Sequence, residues 1–333
     1  MTQSRRTVVQ SIGVGLVAQL GAGNAQAQGE AKAADMWSGE YWANKGDVKL
    51  YLYRKRVGAP KAGESLPVLF LVHGSSISAR PTFDLTVPGK GEYSMMDVFA
   101  RWGFDVWTMD HENYGRSSRT SGNSDIASGV EDLKAGVEVV ARETGRQKVH
   151  FMGESSGAIR AGAYAMVRPD RVDRLILSAF TYKGENSPTL AKRAEQLAYF
   201  KTHNMRLRDR AMILSIATRD KPGTSEIETM NALADAELKF GDQAPTGTYL
   251  DMTANLPLVD PRKVQAPVLL VRGEHDGIAT VDDLWAFYKD LPTGDRQFVI
   301  LPGIAHSLVL ATNRQLFWHA MRDFLTMPPS AVT

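Results

Sequence analysis

The sequence predicts an α/β protein: a mostly parallel sheet with helices on both faces and a helical cap insertion. Three observations predict it. Apolar runs of strand length recur at residues 67–72, 104–109, 148–152, 174–179, 266–271 and 296–301, most of them separated by stretches of helical spacing. Strands buried on both faces of a parallel sheet read as such continuous runs, and their alternation with helices calls for a layered α/β fold. One run breaks into Gly153-Glu154-Ser155-Ser156-Gly157 and continues as a small-residue helical stretch that stops at Arg168-Pro169. The alternation then lapses over residues 181–260, which are rich in helical pattern, charge and methionine, and resumes near Ala266.

The chain opens on a stretch that reads as a removable signal, residues 1–27. Ser4-Arg5-Arg6-Thr7-Val8-Val9-Gln10 resembles a twin-arginine export motif, a mildly apolar run follows to Leu20, and Ala25-Gln26-Ala27 has the small-x-small pattern of a cleavage site. The expected location is therefore periplasmic or secreted. Removing the segment leaves 37 basic against 37 acidic residues. A chain without net charge lacks the basic surface that nucleic acid or an anionic membrane attracts, so neither is expected as a partner. No later run is long and apolar enough to insert in a membrane. The absence of cysteine excludes disulfides, thiolate zinc sites and a cysteine nucleophile.

The elements follow in order. Residues 37–42 and 48–56 read as a hairpin turned at Asn44-Lys45-Gly46-Asp47, and its alternation of Leu50 and Leu52 with Tyr51 and Tyr53 predicts a half-exposed ribbon. The buried strand 67–72 ends in His73-Gly74-Ser75-Ser76, and the strand 104–109, after a helical stretch, ends in Asp110-His111-Glu112-Asn113-Tyr114-Gly115-Arg116-Ser117. Ile126, Val130, Leu133, Val137 and Val140 mark one face of a helix over 126–144. In the inserted segment, helices are expected at 190–199, 208–217 and 225–240, with no strand. Core residues are expected at 28–180 and 261–333, with the cap at 181–260.

A strand, a sharp turn and a helix around Gly-x-Ser-x-Gly form the context of a nucleophile elbow. The two glycines are needed where a Cβ would strike the neighbouring strand or helix, and the serine is held in a strained conformation. A serine hydroxyl needs a base to take its proton and an acid to orient that base. With this elbow, with His73-Gly74 after an earlier strand, with Gly273-Glu274-His275-Asp276 and with Pro302-Gly303-Ile304-Ala305-His306, the chain resembles the α/β-hydrolase superfamily. The resemblance covers essentially everything outside the signal and the cap. It implies an eight-stranded, mostly parallel sheet, with Ser155 as nucleophile, Asp276 as acid and His306 as base. It also implies an oxyanion hole made by the backbone N–H groups of Ser75 and Ser156. Glu274 competes with Asp276 for the acid, and the position within the family's turn favours Asp276. The loop at Asp110 resembles the family's Asp-x-x-Gly-x-Gly-x-Ser, with Asn113 in place of the first glycine. His111 and Glu112 precede the serine, so they are expected to brace that loop.

The implied activity is that of a serine hydrolase cleaving carboxylic esters of small to medium, soluble substrates through an acyl-enzyme. The same triad serves lactonases, C–C bond hydrolases and perhydrolases, and some proteins of this fold are ligand-binding receptors. Epoxide-hydrolase and dehalogenase chemistry is disfavoured, because those relatives carry aspartate where Ser155 stands. No metal site and no cofactor is expected: metal-ligand spacing and a dinucleotide-type glycine loop are both missing. Aromatic and methionine residues of the cap are available to line a pocket, and the sequence singles out none of them.

Overall fold

The computed structural model describes residues 35–328; the signal segment lies outside the described residues. Strands β1 (Met36–Lys45) and β2 (Val48–Val57) form an antiparallel hairpin closed by Gly46, whose φ of 57° is readily adopted only without a side chain. After them come β3 (Val68–Val72), short helices α1 (Ala79–Phe83) and α2 (Met95–Arg101), β4 (Asp105–Met109), α3 (Ile126–Thr144), β5 (Val149–Glu154), α4 (Ser156–Val167) and β6 (Val172–Ser178). The inserted segment holds α5 (Pro188–Ala194), α6 (Leu197–Thr202), β7 (Met205–Leu207), α7 (Arg210–Thr218), α8 (Ile227–Glu237), β8 (Gln243–Pro245) and α9 (Gly247–Ala254). The chain then returns through β9 (Val268–Gly273), α10 (Val281–Lys289), β10 (Arg296–Leu301) and α11 (Arg314–Thr326).

Eight strands form one sheet in the order β1-β2-β4-β3-β5-β6-β9-β10. From β4 to β10 every pairing is parallel, and only the hairpin and its junction with β4 are antiparallel. Side chains alternate across each strand. In β3, Val68, Phe70 and Val72 point into the core made with α3, α4 and α10, whereas Leu69 and Leu71 point into the core made with α2 and α11. The sheet is thus packed on both faces, and the ends of its parallel strands are the places where loops can present chemistry.

Two expectations need correction. β2 is buried on both faces, with Tyr51 and Tyr53 as covered as Leu50 and Leu52. It lies inside the sheet between β1 and β4, and its Arg54 is neutralised by Asp105 through hydrogen bonds of 2.8 and 2.5 Å. The inserted segment is not purely helical, because β7 and β8 pair into a two-stranded antiparallel ribbon. Strands of three residues leave too little periodicity to be seen beforehand.

Candidate active site

The elbow is built at the junction of β5 and α4. Ser155 has φ 58° and ψ −124°, a combination that costs an L-residue energy and turns the chain sharply between strand and helix. The flanking glycines are sterically required. A Cβ on Gly153 would lie 2.3 Å from the carbonyl oxygen of Gly157, and one on Gly157 would lie 2.2 Å from that of Val72. Ser155 Oγ is placed 2.9 Å from His306 Nε2. His306 comes from the loop after β10, and its Nδ1 lies 2.9 Å from Asp276 Oδ1 in the loop after β9. The consistent proton assignment puts hydrogen on Nδ1 and leaves Nε2 as acceptor for the serine hydroxyl.

Asp276 is buried, and burial pushes its carboxyl up. The His306 side chain and the amides of Ile278 and Ala279, which donate to Oδ1 at 2.8 and 3.1 Å, outweigh that and hold it below the usual carboxylate value. Glu274 accepts instead from the Gly303 amide at 2.9 Å. Gly273 admits the histidine loop against the acid strand; a Cβ there would stand 2.3 Å from the Ala305 carbonyl oxygen.

The loop after β3 lies beside the elbow. Ser75 Oγ donates to Ser156 Oγ at 2.9 Å and shares a 2.7 Å hydrogen bond with Thr248 Oγ1 from α9. Among the described residues, the amides of Ser75 and Ser156 have no hydrogen-bond acceptor; the Ser156 amide opens the first turn of α4, where free N–H groups are normal. His73 is wholly buried beneath this loop. It accepts from the His111 amide through Nε2 at 3.1 Å and reaches the Gly74 carbonyl through Nδ1 at 2.8 Å. Burial and the neighbouring His111 and Arg160 push its pKa well down, so it stays neutral and acts as a brace. His111 in turn contacts Asp132 at 3.0 Å, and Glu112 takes an ion pair from Lys45 at 2.6 Å, so both brace the loop after β4. Asn113 occupies the left-handed region at φ 69°, which explains how it replaces a glycine.

A cavity of about 490 Å³ opens over Ser155 and His306. Its core side is formed by Gly74, Ser75 and Glu154, and its far side by the inserted segment, including Phe200, Met212 and Tyr249. Lys192, Arg193, Arg206 and Arg219 also line it. Asp220 pairs with Arg219 at 3.0 Å and brings its carboxylate near the Asp276–His306 pair, all three offering donor atoms within 4.8 Å of one another. The imidazole nitrogens in that group are already engaged by Asp276 and Ser155, so a cation there would compete with both hydrogen bonds.

Residues 89–313, about two thirds of the chain, match the family described as serine aminopeptidase, S33. The chain belongs to this α/β-hydrolase family. No curated protein matches the sequence of this hydrolase. Solved structures share its fold. The crystal structure of E-2-(acetamidomethylene)succinate hydrolase superposes with a TM-score of 0.65 at 18% identity, over 87% of this hydrolase and 100% of that chain. Bromoperoxidase from Bacillus anthracis gives 0.63 at 19% identity, over 87% and 100%. The enol-lactonase from Burkholderia xenovorans LB400 gives 0.57 at 15% identity, over 86% and 100%. Their named activities differ, as expected of a fold on which function resides in grafted sites.

The sequence-predicted residues Ser155, Asp276 and His306 are brought into one hydrogen-bonded chain, and Ser75 and Ser156 flank it. Sequence reasoning missed Arg193, Arg206, Asp220 and Thr248. Charged and hydroxyl residues in the inserted segment read as an ordinary solvated surface, and only the path of the chain over the elbow turns them inward.

Proposed function

We propose that this hydrolase cleaves carboxylic esters of small to medium, soluble substrates through an acyl-enzyme. The observation that carries the reading is the continuous relay Ser155 Oγ–His306–Asp276, with both links at 2.9 Å. His306 Nε2 takes the hydroxyl proton as Ser155 Oγ bonds to the ester carbonyl carbon. Asp276 holds the imidazole in the required tautomer and stabilises its cation. The oxyanion would be received by the amides of Ser75 and Ser156. Collapse of the tetrahedral species breaks the bond to the alcohol oxygen, which leaves with the proton from His306. Water then loses a proton to His306 as it attacks the acyl carbon, and Ser155 departs with that proton. Ester and water are consumed, acid and alcohol released, and the enzyme regenerated. On this reading the segment 181–260 serves as the cap that shapes the pocket, and the signal-like residues 1–27 support a location in the periplasm or outside the cell.

Aminopeptidase activity, named in the family's description, fits this cavity poorly. A free amino terminus is cationic, and the cavity presents Arg193 and Arg206 to it, while the Asp220 carboxylate is paired with Arg219.

The test is hydrolysis of p-nitrophenyl esters of graded acyl length by wild type and Ser155→Ala. The variant should lose about six orders of magnitude in kcat with unchanged circular dichroism. Retention of more than a few per cent of the rate would sink the assignment.

A further inference from the structure

The cavity over Ser155 carries an excess of positive charge that the protein does not neutralise. The guanidinium carbons of Arg193, on α5, and Arg206, on β7, lie 4.9 and 4.7 Å from the ring centroid of Tyr249. Tyr249 is itself buried, and its hydroxyl is fixed by a hydrogen bond to Ser76 Oγ. Phe200 packs on its ring at 5.5 Å between centroids. Among the described residues, no carboxylate lies within ion-pair distance of Arg193 or Arg206, and neither guanidinium has a hydrogen-bond partner. The nearby carboxylate of Asp220 is spent on Arg219 at 3.0 and 3.2 Å.

Two guanidiniums gathered on one ring repel each other. Cation–π attraction to a tyrosine returns only about 0.5–2 kcal/mol. The remaining field is felt by Tyr249: burial pushes its phenol up, but Arg206 and Arg193 outweigh burial and bring it below the usual value. Arg193 is pushed down to about 10, chiefly by burial and also by Arg219 and Arg206, so it remains charged near neutrality. A guanidinium without a protein partner keeps its N–H donors free, and their planar fork matches a carboxylate in a bidentate pair.

We propose that this cavity is an anion-recognition pocket and that the natural substrate carries a carboxylate, received by Arg193 and Arg206, in addition to the group attacked by Ser155. The assignment rests on the hydrolase reading and narrows it to anionic esters, such as half-esters of dicarboxylic acids. Tyr249 acts as the platform that aligns the two arginines, and its anchorage to Ser76 sets that platform one residue from Ser75.

The experiment compares kcat/KM for monomethyl adipate and dimethyl adipate, followed by pH-stat, in wild type and in Arg193→Gln/Arg206→Gln. The ratio of the two values is the readout, so any general loss in the variant cancels. Wild type should favour the anionic ester by about ten- to a hundredfold, the range that one or two charge-assisted hydrogen bonds supply. Added salt should lower only the anionic rate, and the double variant should lose about tenfold or more of the preference. A wild-type ratio of one or below, or a preference unchanged in the variant, overturns the assignment. If neither ester is cleaved, the p-nitrophenyl series decides the ester reading and calorimetry decides the pocket separately. Adipate binding about tenfold or more tighter than adipamide in wild type would uphold it, and equal affinities would overturn it. The wild-type arms require no variant, and Arg206→Lys, which keeps the charge, should keep most of the preference.

Discussion

Glu154 immediately precedes Ser155 and is buried, with one oxygen accepting from the Val309 amide at 3.4 Å. Burial raises its carboxyl from 4.5 to about 7, and the amides of Val309 and Leu308 offset only part of that rise. Between those two values the folded protein holds a proton that the unfolded chain has released. Stability therefore falls as pH rises through that window, by about 3 kcal/mol in total from this group. Glu154→Gln cannot ionise, so its urea-denaturation midpoint should fall less steeply than that of wild type across the window. Parallel curves for the two proteins would refute this account. Residues of this kind divide by legibility. Ser155, Asp276 and His306 could be read from the chain because each sits in a turn whose neighbours, Gly157, Gly273 and Gly303, leave a mark in the sequence. Arg193 and Arg206 left no such mark, since an arginine facing solvent and one facing a cavity have identical neighbours in sequence.

At the scale of elements, the parallel strands were legible because burial on both faces makes them uniformly apolar, as in β3 and β9. The edge pieces were not: α1 spans five residues around Pro81, and α9 begins at Gly247 just after the ribbon strand β8. Their existence depends on partners distant in sequence. The exit from β6 into the inserted segment shows the same dependence. Its turn is held by one carboxylate of α10, Asp283, which accepts from the amides of Tyr182, Lys183 and Gly184 at 2.8, 2.8 and 3.2 Å. Asp283→Ala would strand three amides and should cost about 3 kcal/mol or more. Asp283→Asn keeps one acceptor oxygen and should cost less. Equal unfolding free energies for the two variants would show that the turn does not depend on that carboxylate.

At the scale of the molecule, a buried ion pair within the inserted segment anchors that segment to the loop after β3. Arg208 and Glu237 contact each other. Arg208 also donates to the Ser76 carbonyl at 2.8 Å, and Glu237 accepts from the Ser78 amide at 2.9 Å. Both partners are therefore tied to the loop that carries Ser75. Removing either one leaves a buried charge unpaired, so Arg208→Ala or Glu237→Ala should lose about 3–5 kcal/mol. On the proposed mechanism catalytic efficiency should fall as well, because the loop that carries the Ser75 amide would lose two of its anchors. Arg208→Met combined with Glu237→Leu removes both charges and should recover much of the stability but not the efficiency. A double variant as unstable as either single one would show that the pair is not the joint.

The inserted helices are held very unequally. α9 is fastened to the sheet side at successive positions: the Gly247 amide donates to Asn123 O at 2.8 Å, Thr248 meets Ser75, Tyr249 meets Ser76, and Asp251 accepts from the Ile126 amide at 2.8 Å. α5 and α6 bury only Leu190 and Phe200. Elements with so little buried surface open at low free energy. The doorway to Ser155 is therefore hung on α9, and its leaf is the stretch of residues 188–202, the same stretch that carries Arg193. On the proposed reading, a substrate received by Arg193 fastens the leaf, so amide exchange in residues 188–202 slows on occupancy, and the rate at which the leaf swings back sets how long the product is retained.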